Sequence, residues 1–127
     1  MNILQIVPEL KSGGVERGTV DMAKFLVRNG HGSVVVSAGG ALVGNLEAAG
    51  VKHYKLPVHD KNPVRLFRSV RALSKIIQDQ RVDLVHARSR VPAWAALWVS
   101  RRSGIPFITT CHGFFKNQTT LPHRLHF

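Results

Sequence analysis

The apolar positions of this sequence fall into short runs separated by longer stretches of helical periodicity. Five of the runs are bounded by glycine, proline or polar residues, which predicts strands buried in a sheet. They are residues 3–7 (ILQIV), 33–37 (SVVVS), 51–57 (VKHYKLP), 82–87 (VDLVHA) and 106–112 (PFITTCH).

Stretches between these runs have the spacing of amphipathic helices. The first covers residues 15–28 and stops before Gly30, and residues 41–50 predict a short second helix. The apolar face of the first comprises Val15, Val20, Met22, Ala23, Leu26 and Val27. A third helix, with Pro63 in its first turn, has the clearest stripe of the chain. That stripe comprises Leu66, Phe67, Val70, Leu73, Ile76 and Ile77.

A fourth helix is predicted to start at Pro92, with Ser89 as its N-cap and Gly104 as its stop. Trp94 and Trp98 are four residues apart, a spacing that favours packing of both rings against the core. Strands that alternate with helices indicate βαβ units. The sequence therefore predicts an α/β fold, a Rossmann-like parallel sheet with helices on both faces.

Length and composition narrow the class of protein. A chain of 127 residues that is 44% hydrophobic fits one globular domain. Its longest uncharged apolar run, residues 91–99, is far shorter than the about 20 residues that span a bilayer. No basic segment precedes an apolar one at the N-terminus, so we expect a cytoplasmic protein. Cys111, the single cysteine, excludes an internal disulfide and is interpreted as a core residue.

The charge of the chain indicates an anionic partner. Eighteen Lys and Arg oppose seven Asp and Glu, for a net charge of +11. Arg65, Arg68, Arg71 and Lys75 recur at helical spacing and predict one exposed basic stripe. The stripe is either a solvated helix face or a membrane-surface contact. Nucleic-acid binding is disfavoured, because no recognised motif occurs and no aromatic residues interleave with these cations.

Ligands of such folds bind at the carboxyl ends of the strands, so the loops there are the first candidates for a site. Gly13 and Gly14 follow the first strand, but Val15 stands where the dinucleotide motif needs glycine. The phosphate-binding P-loop also fails, because Thr19 follows Gly18 directly without the required lysine. The glycine pair is either a tight turn or a place where the backbone closely approaches a diphosphate.

Two histidines lie at the ends of predicted strands, and two arginines follow the first of them in the sequence. His86 and His112 end the fourth and fifth strands, and Arg88 and Arg90 follow His86 closely. Either histidine alone is more typical of a hydrogen-bonded structural residue, but two at one edge favour a shared crevice. The sequence has no metal-ligand spacing and few carboxylates, so we expect no metal site.

Two segments together resemble a known family. GGVERGTVDMAKFLVRNGHGSVVVSAGG and VDLVHARSRVPAWAALWVSRRSGIPFITTCHGFF are similar to the N-terminal domain of a family 4 glycosyltransferase with the GT-B fold. The resemblance covers residues 1–115. Residues 116–127 (KNQTTLPHRLHF) depart from it as an atypical tail.

The resemblance implies a retaining glycosyltransferase that uses a nucleotide sugar and needs no metal or cofactor. Its N-terminal domain supplies the acceptor side, and its C-terminal domain binds the donor through a glutamate pair eight positions apart. By resemblance, Gly13 and Gly14 approach the donor diphosphate, and His112 is the catalytic residue at the reaction centre. The acceptor-side residues so implied are His86, Arg88, Ser89 and Arg90.

The family's acceptors are often lipid-linked or envelope glycans, such as lipopolysaccharide, at the inner membrane face. The resemblance therefore implies peripheral membrane contact, for which the basic stripe and the AWAALW segment are candidates. No second domain follows in these 127 residues. We expect a truncated domain that is inactive without a C-terminal domain or a partner chain. The alternative is a non-catalytic α/β module that binds anionic lipid or a partner subunit.

Overall fold

A computed structural model describes residues 1–10, 14–60 and 62–110 of the protein. Within these ranges, strands and helices alternate along the chain. The strands are β1 (Asn2–Ile6), β2 (Gly32–Ser37), β3 (Lys52–Lys55), β4 (Leu84–Arg88) and β5 (Phe107–Thr110). The helices are α1 (Gly14–Arg28), α2 (Val43–Ala48), α3 (Pro63–Gln80) and α4 (Arg90–Ser103).

The five strands form one sheet in the order β3-β2-β1-β4-β5, and every pair is parallel. Strand β1 lies at the centre, where Leu4 is paired with Val34 of β2 and with Val85 of β4. The chain winds outward from β1 first through β2 and β3, and then through β4 and β5 on the other side. The strand order therefore reverses between β1 and β4, and we call the carboxyl edge of these two strands the switch point.

Helices cover both faces of the sheet because successive strand residues point to opposite sides. Leu4 and Ile6 belong to the core formed with α3 and α4, whereas Val7 and Val35 belong to the core formed with α1 and α2. The predicted fold, a Rossmann-like parallel sheet with helices on both faces, is confirmed.

The start and stop of the helices have local causes that the sequence predicts well. The side chain of Asn62 caps α3 by accepting hydrogen bonds from the backbone N–H groups of Val64 and Arg65, and Pro63 occupies the first turn. Gly104 ends α4 with a left-handed φ of 72°, which glycine adopts without strain.

The basic stripe of α3 is exposed as predicted, and its Arg65 forms an ion pair of 2.6 Å with Asp60.

Four predicted core residues are exposed instead. Phe67 and Met22 are 56% and 40% exposed, and Trp94 and Trp98 are 56% and 52% exposed. On α4 the small side chains of Ala95, Ala96 and Val99 pack against the sheet, and residues 94 and 98 lie on the other side of the helix. Spacing of i and i+4 places two residues on the same side but does not say which side faces the core.

Candidate functional site at the switch point

Polar side chains gather at the switch point on the sheet face that carries α1. His86 of β4 is paired in register with Gln5 of β1, and Arg88 lies two residues further along β4. Residues two apart on a strand point to the same face, so all three belong to one side of the sheet. Strand β5 adds Thr110, which is paired with Arg88.

His86 is half-buried on this face and bridges two strands. Its Nε2 lies 3.3 Å from Oγ1 of Thr110, within hydrogen-bond distance. The imidazole is therefore oriented by the neighbouring strand while part of the ring remains accessible to solvent. A ring held in this way can donate or accept a hydrogen bond at the carboxyl edge of the sheet.

Arg88 is buried, with 7% of its surface exposed, and its guanidinium lies under α1. Its Nε donates a hydrogen bond of 3.1 Å to Oε1 of Gln5. The amide of Gln5 in turn donates to the backbone carbonyl of Thr19 in α1, at 3.2 Å. The nearest atom to a Cβ built on Gly18 is an Arg88 guanidinium nitrogen, at 4.0 Å. This Arg88–Gln5–Thr19 chain ties β4, β1 and α1 together.

Burial lowers the pKa of the Arg88 guanidinium from its ordinary value, because desolvation disfavours the charged form. Arginine titrates so far above neutral pH that the side chain remains a cation. Its recorded side-chain partner is a neutral amide. The positive charge at the switch point is therefore available to attract an anion in the cleft.

Ser89 follows β4 in a backbone conformation that is rare for any residue except glycine, with φ 90° and ψ 171°. Its N–H donates to the carbonyl of Thr110 at 3.0 Å, and its own carbonyl accepts from Ala93 at 3.1 Å. The predicted N-cap position is correct, but the side chain makes no capping hydrogen bond. Helix α4 therefore starts at Arg90, two residues before the predicted Pro92, and Arg90 is exposed.

Gly14 is the first residue of α1 and lies at the carboxyl edge of the sheet. A Cβ added to it would meet nothing within 4 Å, and its φ is outside the left-handed region. Neither packing among the described residues nor backbone conformation therefore requires glycine at this position.

Gly13, Cys111 and His112 lie outside the described residues, as do residues 116–127, so the prediction that His112 is catalytic stays a prediction. The same holds for the division of the chain at residue 115. Of the predicted site residues, Gly14, His86, Arg88, Ser89 and Arg90 all lie at the carboxyl edge of β1 or β4, or in the helix that follows.

Sequence reasoning missed the polar partners of these residues. Gln5 is fully buried in the middle of the apolar run ILQIV, and Thr19 is fully buried in α1. A glutamine inside a central strand was the available signal, because a buried amide must find hydrogen-bond partners. Thr110 had no comparable signal, since threonine is common in any strand.

A second polar pair joins the last residue of β2 to His53 of β3. The Ser37 hydroxyl and Nε2 of His53 are joined by a hydrogen bond of 2.7 Å, and the N–H of Gly39 donates to the same hydroxyl at 3.0 Å. Ser37 is fully buried and so cannot reach a substrate. The pKa of His53 is lowered, mainly by burial, and Lys55 adds to the effect while Glu47 opposes it. The pair is a structural link between the strands.

The described residues carry neither a cluster of metal ligands nor a spanning helix. No group of three His, Cys, Asp or Glu side chains in them could hold a metal ion. None of the helices within these ranges is both long and apolar enough to cross a bilayer. A cavity of about 510 Å³ between α1 and α2 lies away from the switch point, and its lining includes Lys24, Arg28 and Asn45.

A parallel sheet of this order, with its polar residues gathered at the switch point, defines a Rossmann-like α/β domain. Folds of this kind bind their ligands at the carboxyl ends of the strands. The chain belongs to glycosyltransferase family 4, whose model matches residues 12–127. The family resemblance predicted from the sequence is thereby confirmed. No match was found among curated proteins.

Solved structures agree with this family. A glycosyltransferase from Rickettsia africae is 32% identical and superposes with a TM-score of 0.80, over 97% of this chain and 35% of that protein. MurG from Acinetobacter baumannii is 16% identical, with a TM-score of 0.71 over 98% of this chain and 39% of that one. Alr3699/HepE from Anabaena, solved in complex with UDP, is 20% identical, with a TM-score of 0.67 over 95% and 32%.

The last two likenesses are below the identity at which more than the fold is shared. They show that the fold of the sheet and helices is shared. The chain spans between about a third and two-fifths of the length of these three proteins.

Proposed function

We propose that this chain forms the acceptor-side domain of a retaining glycosyltransferase that takes its sugar from a nucleotide sugar. The family match over residues 12–127 is the observation that carries the proposal. The geometry of the switch point supports it, because Gly14, Arg88 and Ser89 lie at the carboxyl edge of the two strands where the order reverses.

The proposed role of Gly13 and Gly14 is to face the donor diphosphate. Helix α1 is 15 residues long, and the N–H groups of its first turn carry partial positive charge. The buried cation of Arg88 adds to this field from beneath. Departure of a nucleoside diphosphate builds negative charge, so fixed positive groups lower the barrier without a metal or other cofactor.

The proposed acceptor side comprises His86, Arg88, Ser89 and Arg90. His86 is the half-buried ring oriented by Thr110, and it supplies a hydrogen-bonding group to a sugar hydroxyl. Arg88 acts on the acceptor through its field and by fixing Gln5, since its guanidinium is buried. His112 is proposed as the catalytic residue near the transferred sugar.

We further propose a cytoplasmic protein at the inner membrane face that builds lipopolysaccharide or another envelope glycan. Its acceptor is then lipid-linked or part of a growing glycan. Because the donor side of a GT-B cleft belongs to the second domain, residues 1–127 alone are proposed not to transfer sugar. A C-terminal domain, in the same chain or from a partner, completes the cleft.

The proposal is tested by measuring nucleoside diphosphate release in the presence of a family 4 C-terminal domain. A panel of nucleotide sugars is offered with envelope-glycan acceptors. We expect release with at least one donor, none from residues 1–127 alone, and loss of at least about 100-fold in His112→Ala. His59→Ala, at an exposed histidine in the loop between β3 and α3, is the matched control and keeps full activity.

Two results would overturn the proposal. One is the absence of release with every donor although the second domain is present and folded. The other is an unchanged rate in His112→Ala, which removes the catalytic assignment.

The second candidate is a non-catalytic module that binds anionic lipid or a partner subunit. The net charge of +11 on 127 residues favours it. It becomes the leading proposal if the completed protein binds vesicles or a partner but releases no nucleoside diphosphate.

A further inference from the structure

The cavity of about 510 Å³ between α1 and α2, which we call the α1–α2 cavity, plays no part in the proposed function. Its volume is within the range of small-molecule sites in proteins. The lining includes three residues of each helix, namely Lys24, Val27, Arg28, Gly44, Asn45 and Ala48. All six are exposed or half-buried, so the cavity is open to solvent.

Two cations of α1 line this cavity together. Lys24 and Arg28 are four residues apart and therefore lie on the same side of the helix. Within the described ranges, neither side chain forms an ion pair or a hydrogen bond with the protein. Arg28 complements the helix dipole in the last turn, but Lys24 lies one turn earlier, where this effect has faded. Like charges at this spacing destabilise a helix, so the pair gains most from an anion that contacts both.

Carboxylates do not balance these two charges. None of the residues that line the cavity in the described part of the chain is acidic. Glu47, the acidic residue of α2, instead lies close enough to His53 of β3 to act on its pKa. Asp21 precedes Lys24 by one turn of α1, but no ion pair joins them.

The rest of the lining is small and mainly apolar. Val27 and Ala48 contribute methyl groups, and Gly44 contributes bare backbone. A Cβ built on Gly44 would meet nothing within 4 Å, so packing among the described residues does not require glycine inside α2. The amide of Asn45 adds a donor and an acceptor. The cavity therefore offers two cations and an amide beside an apolar wall.

We propose that the α1–α2 cavity is a second ligand site, which binds a small phosphate monoester that carries an apolar group. A phosphate monoester has about 1.5 to 2 negative charges at neutral pH and so matches two cations better than a carboxylate does. Arginine binds such a group through two parallel N–H donors, and lysine binds it as a point charge. The apolar group of the ligand packs against Val27 and Ala48.

Helix α1 connects this site to the switch point. The two cations lie in its second half, and Thr19 lies in its first half. The carbonyl of Thr19 accepts from Gln5, which in turn accepts from Arg88. A ligand that contacts both α1 and α2 therefore acts on the helix to which the Arg88 charge is tied. This effector role rests on the proposed function, but binding itself requires no transfer reaction, so the two can fail separately.

Titration with phenyl phosphate, followed by the backbone amide NMR signals of the 127-residue protein, tests the site. At low salt we expect saturable shifts in residues 24–28 and 44–49. Benzoate has the same ring with one charge, and inorganic phosphate has no ring, so each should bind about fivefold or more weakly. Equal affinity for inorganic phosphate would overturn the proposal, because the apolar wall would then contribute nothing. The absence of saturable shifts up to about 10 mM phenyl phosphate would also overturn it.

Two pairs of variants with the same change of charge separate this site from general basicity. Lys24→Gln with Arg28→Gln should weaken phenyl phosphate binding by at least about tenfold. The matched control, Arg71→Gln with Lys75→Gln, removes an arginine and a lysine at the same spacing from α3, on the opposite sheet face, and leaves binding unchanged. Equal losses in the two pairs would overturn the proposal, because they would reduce the effect to net charge.

Ala48→Leu tests the cavity itself without changing a charge. Leucine suits a helix and the position is exposed, so the variant is expected to fold, and its side chain occupies the space of the apolar group. Phenyl phosphate should then bind no more tightly than inorganic phosphate. Ala41→Leu, in the exposed turn before α2, is the control and leaves binding unchanged. Circular dichroism establishes that each variant is folded.

Three further results would overturn the proposal. The first is unaltered phenyl phosphate binding in Ala48→Leu. The second is a set of shifts confined to residues 14–19 and 86–90, which would place the probe at the switch point. The third is a response of residues 24–28 and 44–49 to phosphatidylglycerol vesicles but not to phenyl phosphate, which would make the ligand a lipid headgroup.

Discussion

At the scale of single residues, the switch point depends on a glutamine that never reaches the solvent. Gln5 accepts from Arg88 and donates to the backbone of Thr19, so one buried amide joins two strands and a helix. Both of its partners are backbone or cationic groups that would be costly to leave unpaired. The position of the Arg88 charge under α1 therefore depends on the Gln5 side chain.

Gln5→Leu is expected to destabilise the domain by about 1–3 kcal/mol, because Arg88 and the carbonyl of Thr19 each lose a buried partner. Urea denaturation measures the change in the free energy of unfolding. Gln78→Leu, at an exposed position of α3, is the control and changes stability by less than about 0.5 kcal/mol. A Gln5→Leu protein as stable as the parent would show that the hydrogen-bonded chain contributes nothing to folding.

Ser89→Gly is expected to stabilise the domain by about 1 kcal/mol, or about 3–5 °C in Tm, because glycine relieves the strain of φ 90° and ψ 171°. The serine side chain makes no capping bond that would be lost. Arg81→Gly, at an exposed left-handed position with φ 51° that caps α3, is the comparison. Both changes raise Tm, and in the completed enzyme only Ser89→Gly lowers the transfer rate. A lower Tm for Ser89→Gly would contradict the strain assignment.

These two residues show what sequence can and cannot reveal. A glutamine inside ILQIV signals a buried polar contact, although not the identity of its partner. The strain at Ser89 leaves no sequence signal, because serine is an ordinary residue before a helix and its φ follows from how β4 and α4 are joined.

At the scale of elements, periodicity locates the helices and strands but does not decide which apolar side chains are buried. All nine elements of the described ranges fall within a few residues of their predicted positions. Helix α4 is where the prediction of buried residues was wrong. Its large tryptophans are exposed, and its small alanines pack on the sheet instead. Which side of a helix faces the sheet depends on the distance between the helix and the sheet, and the sequence alone does not reveal that distance.

The His53 side chain, which is hydrogen-bonded to Ser37 between β2 and β3, makes the stability of the domain depend on pH. The pKa of His53 is depressed in the folded state, mainly by burial, so the unfolded chain binds the proton more readily. The stability from neutral His53 is therefore fully present above its unfolded pKa of about 6.5 and is lost as pH falls toward the folded pKa. Denaturation across this window measures the loss. In His53→Gln we expect a flatter profile, and an unchanged profile would exclude His53 as its source.

At the scale of the whole molecule, the most prominent feature is the excess of positive over negative side chains. Eighteen cations oppose seven carboxylates, so folding brings like charges closer together. The family and the fold could be predicted from the sequence, because both follow from the order of strands, helices and motifs. The packing of α3 beside α4 could not be predicted, because the two helices are distant in sequence.

Sodium chloride is expected to stabilise the domain. Raising it from about 20 to about 300 mM shortens the screening length from roughly 20 to roughly 6 Å, which weakens the repulsion among exposed cations. Tm measured by differential scanning fluorimetry should rise across this range. Arg71→Glu with Lys75→Glu lowers the net charge by four and should show a smaller rise. A Tm that falls with salt in the parent chain would mean that attractive pairs outweigh the repulsion.

The central position of β1 also sets the order in which the domain can assemble on the ribosome. Strand β1 meets β2 after about thirty residues, but its other neighbour, β4, begins only at Leu84, and the Asn2–Asp83 hydrogen bond joins residues 81 positions apart. Until β4 has been synthesised, one side of the central strand has no partner. A nascent chain of this family therefore exposes an open sheet edge during much of its synthesis, when chaperones are best placed to protect it.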